Sequence, residues 1–290
     1  MKSTQAAPAA MLRSLLSDFS LEMTGKDVDH LREAGSLIPQ GTRVNVTYLE
    51  HEDLETRLAA TRTAREMGFI PVPHVSARRL DSTARLEEFL GALHHAGASD
   101  TVFVVGGDPA TPYGPFHEAL DVIRSGLLDQ HGVRHVSIAG YPEGHPHIAD
   151  AALWAALEAK TAALREGGLR GDVITQFGFD VDPVLSWIER ARDRGVDLPI
   201  RVGVPGPAGA RRLLRYAARF GIATSTGIAR KYGLSITNLI GTAGPDRFLT
   251  SLAERLRPEV HGEVKLHFYT FGGLAATSAW INDFQEGMLR

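Results

Sequence analysis

Seven polar residues stand where short apolar runs of this 290-residue chain end: Glu22, Thr47, His74, Asp108, Tyr141, Gln176 and Tyr269. Glu22 and Asp108 bring carboxyl groups, suited to proton transfer and to setting charge around a reacting ring. Gln176 brings an amide, which donates and accepts at once and so matches the edge of a heteroaromatic ring. Phe177 and Phe179 beside it offer faces for stacking. Each has a bland alternative that the sequence leaves open. Glu22 is also suited to capping a helix or pairing with Lys26. Asp108 follows Gly106-Gly107 and precedes Pro109, the setting of an Asx-type turn. The two glycines equally let a flat ring or a phosphate approach the backbone, although they form no known nucleotide fingerprint. Gln176, Phe177 and Phe179 fit a core as well as a site. His145 and His147, and the pair His94-His95, invite a metal reading. No carboxylate cluster accompanies them at ligand spacing, so no metal centre is expected.

The elements around these residues must bring them together. Apolar, β-branched runs at 19–23, 43–48, 70–73, 101–105, 135–139, 172–177, 200–204 and 263–269 read as buried parallel strands. Helical spacing fills 52–67, 83–96, 116–128, 148–165, 183–194 and 208–220, and 222–258 has room for two or three more helices. Asp81-Ser82 supplies cap oxygens before residue 83, and Gly97 and Gly221 stand where helices should stop. Eight such units predict an α/β fold: a single (β/α)8 TIM-type barrel over residues 1–290, with extra helices before the last strand and a frayed segment over 1–12. In such a barrel chemistry gathers at the carboxyl ends of the strands, where all seven residues fall.

Composition narrows the function classes. A hydrophobic share of 43% gives ample core material, and a formal net charge of −3 gives no attraction to polyanions. Arg211-Arg212-Leu213-Leu214-Arg215 reads as a solvated helix face, so no nucleic-acid partner is expected. The absence of cysteine removes disulfides, thiolate nucleophiles and Cys-held metals, and it fits the cytoplasm. Residues 1–10 lack the pattern of a signal peptide. No apolar run approaches the roughly 20 residues that span a bilayer, so no membrane partner is expected. A homo-oligomer is compatible with the sequence.

Longer segments carry a resemblance. Ser20-Leu21-Glu22, Val44-Asn45-Val46-Thr47-Tyr48, Pro73-His74, Gly107-Asp108, Tyr141-Pro142-Glu143-Gly144-His145-Pro146, Val173-Ile174-Thr175-Gln176-Phe177-Gly178-Phe179-Asp180 and His267-Phe268-Tyr269-Thr270 follow one another in an order and at separations that resemble the methylenetetrahydrofolate reductase family. The resemblance implies a β/α barrel that reduces 5,10-methylenetetrahydrofolate to 5-methyltetrahydrofolate, with NADH or NADPH as donor and FAD as cofactor. It implies that Glu22 protonates the folate amine and opens its five-membered ring, and that Asp108 tunes charge near flavin and pterin. Gln176, Phe177 and Tyr269 match folate-binding positions. Thr47, His74, Gly107, Asp108, Tyr141 and His145 match cofactor contacts, with Lys160, ahead of Arg165, as the cation for the diphosphate. Three departures accompany the match. Met23-Thr24-Gly25 replaces the family's Phe-Phe-Pro, Gly106 stands where the family carries an arginine, and Phe271-Gly272-Gly273 replaces its Leu-Asn-Arg. The lost cation at Gly106 keeps open a flavin-free reductase, with hydride passing directly from nicotinamide to folate. A non-catalytic pterin-binding barrel is the other alternative.

Overall fold

Alternation along an extended run sorts its side chains onto two faces, and a strand covered on both faces belongs inside a parallel sheet. The structure, a computed structural model, describes residues 3–49, 52–219 and 242–287. Eight parallel strands close into a barrel: β1 (Ser20–Met23), β2 (Arg43–Val46), β3 (Ile70–Ser76), β4 (Thr101–Val105), β5 (His135–Gly140), β6 (Arg170–Phe177), β7 (Ile200–Pro205) and β8 (Val264–Tyr269). Consecutive strands pair, and β8 closes onto β1 with Ser20 opposite His267. This is the predicted (β/α)8 TIM-type barrel, with each predicted strand present and small changes at the ends.

Helix α1 (Ser3–Leu16) precedes β1. Helices α2 (Val28–Ala34), α3 (Leu54–Glu66), α4 (Thr83–His95), the pair α5 (Ala119–Arg124) and α6 (Leu127–Gln130), α7 (Asp150–Glu166) and α8 (Val181–Asp193) follow β1 to β6 in turn. Between β7 and β8 lie α9 (Ala210–Arg219), the helix predicted over 208–220, then α10 (Asp246–Arg255) and α11 (Pro258–His261), and α12 (Leu274–Gly287) follows β8. Helix α10 falls within the 222–258 stretch expected to hold extra helices, of which 222–241 lie outside the described residues. Ser82 caps α4 through the Arg85 amide, and Gly97, at φ +62°, ends it. Gly221 lies outside the described residues. The helix expected over 116–128 is broken, because Gly126 at φ +77° turns the chain between α5 and α6.

The amino terminus corrects an expectation. Residues 1–12 were expected to fray, yet α1 begins at Ser3 and buries Leu12, Leu15 and Leu16 against α10 and β8. Alanine-rich sequence favours helix, and the leucines give that helix an apolar stripe to bury.

The barrel interior is stacked in storeys. At the amino end Arg43, His135, Ser137, Asp172 and Arg201 form an ionic cluster. Above it Val72, Phe103 and Ile174 pack as an apolar plug. The carboxyl end holds Glu22, His74, His267 and Tyr269. In β6 the register slips between Ile174 and Phe177, which re-aims Gln176. The slip requires Gly203 on the next strand, because a Cβ there would lie 2.4 Å from the Thr175 carbonyl.

Candidate active site

The period of two along β1, β3 and β8 turns Ser20 and Glu22, His74 and Ser76, and His267 and Tyr269 toward the barrel axis. There the Glu22 carboxylate lies between two imidazoles. Its Oε2 is 3.6 Å from His267 Nε2 and 4.0 Å from His74 Nε2. Both nitrogens are buried, and neither has a hydrogen-bond partner among the described residues. The other nitrogen of His267 meets Ser20 Oγ at 2.9 Å, so Ser20, His267 and Glu22 form a chain across the β1–β8 seam. Thr270 Oγ1 donates to the Glu22 carbonyl at 2.6 Å and fixes the backbone below. With its side chain 20% exposed, Glu22 remains within reach of a ligand.

His74 is enclosed, and burial pushes its imidazole down to about 4. Glu22 opposes that shift, while His267 and Arg57 reinforce it. His74 is therefore neutral near pH 7, resting edge-on against Phe103 at 4.7 Å. The Tyr269 hydroxyl donates to the Thr175 carbonyl at 3.0 Å. Burial, then the charge of Glu22 and the neighbouring Tyr141, raise that phenol well above its ordinary range, so it stays protonated. Sequence reasoning quoted His267 only inside a motif and gave it no role. The alternation that puts Tyr269 on the inner face also puts His267 there, and that was the available signal.

The altered loop after β1 is firmly held. The Thr24 amide and hydroxyl donate to Asp27 Oδ2 at 2.8 and 2.7 Å. The Gly25 amide donates to Glu52 Oε1 at 2.9 Å, and a Cβ at Gly25 would lie 2.9 Å from Thr56 Cγ2.

The other half of the mouth is an arc from β2 to β5. Gly107, at φ +98°, has no room for a Cβ, which would sit 2.1 Å from Ser76 Oγ. A Cβ at Gly106 would meet nothing within 4 Å. Asp108 is 84% exposed, with Arg79 at 3.3 Å. Burial raises the Tyr141 phenol, and the charge of Asp108 adds to the shift. The Tyr141 ring meets His145 edge-on at 5.4 Å. Burial, then His147, lower the imidazole of His145. Asn45 Oδ1, Thr47 Oγ1 and Ser76 Oγ are buried without hydrogen-bond partners among the described residues. Unmet polar capacity of this kind beside a glycine turn fits a polar, flat or phosphate-bearing ligand such as FAD.

Lys160 reaches from α7 to the Ala139 carbonyl at 3.5 Å, near the carboxyl end of β5. Burial lowers its ammonium to about 8, against the pull of Glu118. Arg165 is different: it pairs with Asp197 at 3.1 Å on the exposed amino side of the barrel, just before β6 begins, away from the mouth. Gln176 Oε1 accepts from the Phe177 amide at 3.1 Å, which engages the amide oxygen locally and leaves its NH₂ group for other partners. Phe177, expected to line the substrate, is 1% exposed. Its ring is packed edge-on among Tyr269, Phe271 and Phe179, because α9 and the Phe271 turn close over it. It braces Tyr269. Among the described residues no group of three His, Asp or Glu could hold a metal, and no helix is long and apolar enough to cross a membrane.

Comparisons with known proteins bear on this arrangement. The family profile described as methylenetetrahydrofolate reductase matches residues 22–277. The chain is 28% identical over 159 residues to Methylenetetrahydrofolate reductase 2 of Saccharomyces cerevisiae. That match covers 52% of this chain but 26% of the yeast protein, so the chain spans about a quarter of that relative's length. Among solved structures it is similar, with a TM-score of 0.61 and 12% identity, to an uncharacterized protein from Clostridium thermocellum that binds two copies of 5-methyl-5,6,7,8-tetrahydrofolic acid, over 93% of this chain and 95% of the other. It is also similar to dihydropteroate synthase from Thermus thermophilus, with a TM-score of 0.51 and 16% identity over 93% and 94% of the two chains. At such identities these two structures speak for the fold alone.

Proposed function

Because the chain belongs to the methylenetetrahydrofolate reductase family, we propose that it reduces 5,10-methylenetetrahydrofolate to 5-methyltetrahydrofolate, as one barrel domain in the cytoplasm, with NADH or NADPH as donor and FAD as bound cofactor. The observation that carries this reading is Glu22, a partly exposed carboxyl group clasped between His74 and His267 at the mouth. Opening the five-membered ring of the substrate requires a proton on the amine that leaves the methylene carbon, and Glu22 would donate it. Ser20 and His267 orient the carboxyl group and offer a path for its reprotonation. Asp108 sets the charge beside the reacting rings. The free NH₂ of Gln176 and the protonated Tyr269, braced by Phe177, meet the pterin. Thr47, His74, Gly107, Asp108, Tyr141 and His145 would hold FAD, and Lys160 would offset its diphosphate charge. When bound, that group supplies the hydride chemistry, which the protein orients and tunes.

The test is a spectrum and two titrations. FAD added to the purified protein should bind, be bleached by NADH or NADPH, and be reoxidised by methylenetetrahydrofolate. Folate-dependent oxidation of the nicotinamide without flavin binding would instead select direct hydride transfer, a reading favoured by the uncharged Gly106. Folate binding with no oxidation at all would make the protein a pterin carrier.

A further inference from the structure

Gly106 brings no charge to the β4 turn, but the neighbouring turn does. Arg79 closes the short turn Ala77–Arg79 that leaves β3. That turn lies against Gly106, whose carbonyl accepts from the Arg78 amide at 2.8 Å. The Arg79 side chain is only 6% exposed, yet among the described residues its hydrogen bonding is confined to Asp108, a largely solvated carboxylate. A guanidinium carries five N–H donors, so most of those on Arg79 have no acceptor among those residues.

The surroundings sharpen the imbalance. Arg57 lies over the Tyr48 ring at 3.7 Å, and Arg79 approaches the same ring at 5.6 Å. Arg57 donates to the His74 carbonyl, and its buried Nε has no partner among the described residues. Burial lowers the Arg57 guanidinium to about 10, and the charge of Arg79 works in the same direction. The nearby acid, Glu52, has both oxygens engaged by the Gly25 and Leu49 amides. Two enclosed cations thus share one exposed carboxylate and one occupied one. Buried charge without a partner is strongly unfavourable, and an exposed ion pair compensates little. Nor is Arg79 needed to hold the β4 loop. Arg78 does that, donating to the carbonyls of His117, Pro109 and Ala110 at 2.8, 3.0 and 3.3 Å.

We infer that Arg79 is an anion-binding residue of the mouth, which takes the diphosphate of a dinucleotide on the β2–β4 side, where Gly106 supplies no charge. The inference rests on the functional reading above and adds a ligand-holding residue to it. A guanidinium fork matches phosphate oxygens in pairs. Thr47 Oγ1 and Ser76 Oγ lie on the same arc without partners among the described residues, and Gly107 leaves its backbone open to close approach. The pterin side, with Gln176 and Tyr269, is across the barrel.

FAD and the nicotinamide donor share this chemistry, and binding titrations separate them. FAD, NADH, NADPH, methylenetetrahydrofolate and riboflavin, the last of which lacks phosphate, are titrated by fluorescence into the wild type, Arg79→Gln and Arg79→Lys, with circular dichroism as the check on folding. Losing a charge-assisted pair should weaken one dinucleotide about 10- to 100-fold in Arg79→Gln, with riboflavin unchanged. Arg79→Lys, which keeps the charge and loses the fork, should fall between. Adding Gly106→Arg to Arg79→Gln should restore affinity, since the space beside Gly106 is open. Which dinucleotide weakens identifies the occupant. Unchanged dinucleotide affinity overturns the inference. So does an equal loss for riboflavin, or a loss confined to methylenetetrahydrofolate, which would assign Arg79 to the folate carboxylates. A wild type that binds no dinucleotide overturns the functional reading with it.

Discussion

Under the proposed function, Glu22 would answer to two half-reactions that ask different things of it. Hydride transfer from nicotinamide to flavin needs no proton on a folate amine, whereas opening the folate ring does. Glu22→Gln keeps the shape and removes the acid, and a positioned acid contributes ~10²–10⁴-fold to such a step. Stopped-flow spectroscopy is expected to show flavin bleaching by NADH near the wild-type rate and reoxidation by methylenetetrahydrofolate slowed by about that factor. Equal losses in both steps would reduce Glu22 to a structural residue. His74, beside it, carries a pH signature. Its folded pKa of about 4 lies below the 6.5 of the free side chain. Between those values the unfolded chain binds a proton that the folded chain refuses. The stability this group contributes is therefore complete above pH ~6.5 and is lost as pH falls toward the folded value, by roughly 2–3 kcal/mol. Replacing His74 by Gln should flatten that part of the pH dependence in urea unfolding. An unaltered slope would mean that other groups produce it.

At the scale of elements, the eight strands were legible because each is a short apolar run between turn residues, and polar residues ending seven of the eight runs pointed to the mouth. Less legible were the parts whose partners lie far away in sequence. The ring of Phe177 is covered by α9 and Phe271, and the environment of Arg79 comes from the β2 and β4 turns, so local pattern showed neither. His267 escaped notice because it lies inside a strand, where an inward histidine and a core residue share one period. Helix α1 was missed because its first ten residues offer few large apolar side chains, and the leucines that anchor it come at its end. Leu15, wholly buried, tests the anchoring. Leu15→Ala should lower the unfolding free energy by ~2–5 kcal/mol, as for other buried leucines; a change near zero would mean that α1 is detached in solution. Gly107 tests the β4 turn. With positive φ and Ser76 Oγ in the way, Gly107→Ala must displace the turn. Calorimetric titration of FAD should then show weaker binding with the melting temperature nearly kept, whereas a collapse of the fold with affinity retained in the survivors would make the glycine purely structural.

The whole barrel is polar at both ends of its axis, for opposite reasons. At the mouth, polar atoms are left without partners among the described residues; at the amino end they are matched. Asp172 Oδ2 receives Arg43 at 3.1 Å and Arg201 at 2.8 Å, while Oδ1 meets His135 at 3.3 Å and accepts from Ser137. Arg201 also ties Asp18, just ahead of β1, to the cluster at 3.0 Å. Burial alone would raise the carboxyl pKa of Asp172. The hydrogen bond and charge of His135, the charge of Arg201 and the Ser137 hydroxyl outweigh it and hold the group well below the ordinary carboxylate range. A depressed carboxylate contributes stability that is present above its unfolded pKa of about 3.9 and lost as pH falls through the folded value. The cluster should therefore resist mild acid and fail only in strong acid. Asp172→Asn leaves Arg43 without its carboxylate and Arg201 with Asp18 alone, and breaking a buried pair in this way costs ~3–5 kcal/mol. The plug of Val72, Phe103 and Ile174 stands between this cluster and Glu22, so the loss should stay at the amino end. Chemical denaturation of Asp172→Asn is expected to show that destabilisation, while the variant, at a temperature where it is folded, should carry out the proposed reduction and reoxidation of added FAD at close to wild-type rates. Slowed chemistry with unchanged stability would reverse the assignment and tie the ionic end of the barrel to the reaction at the mouth.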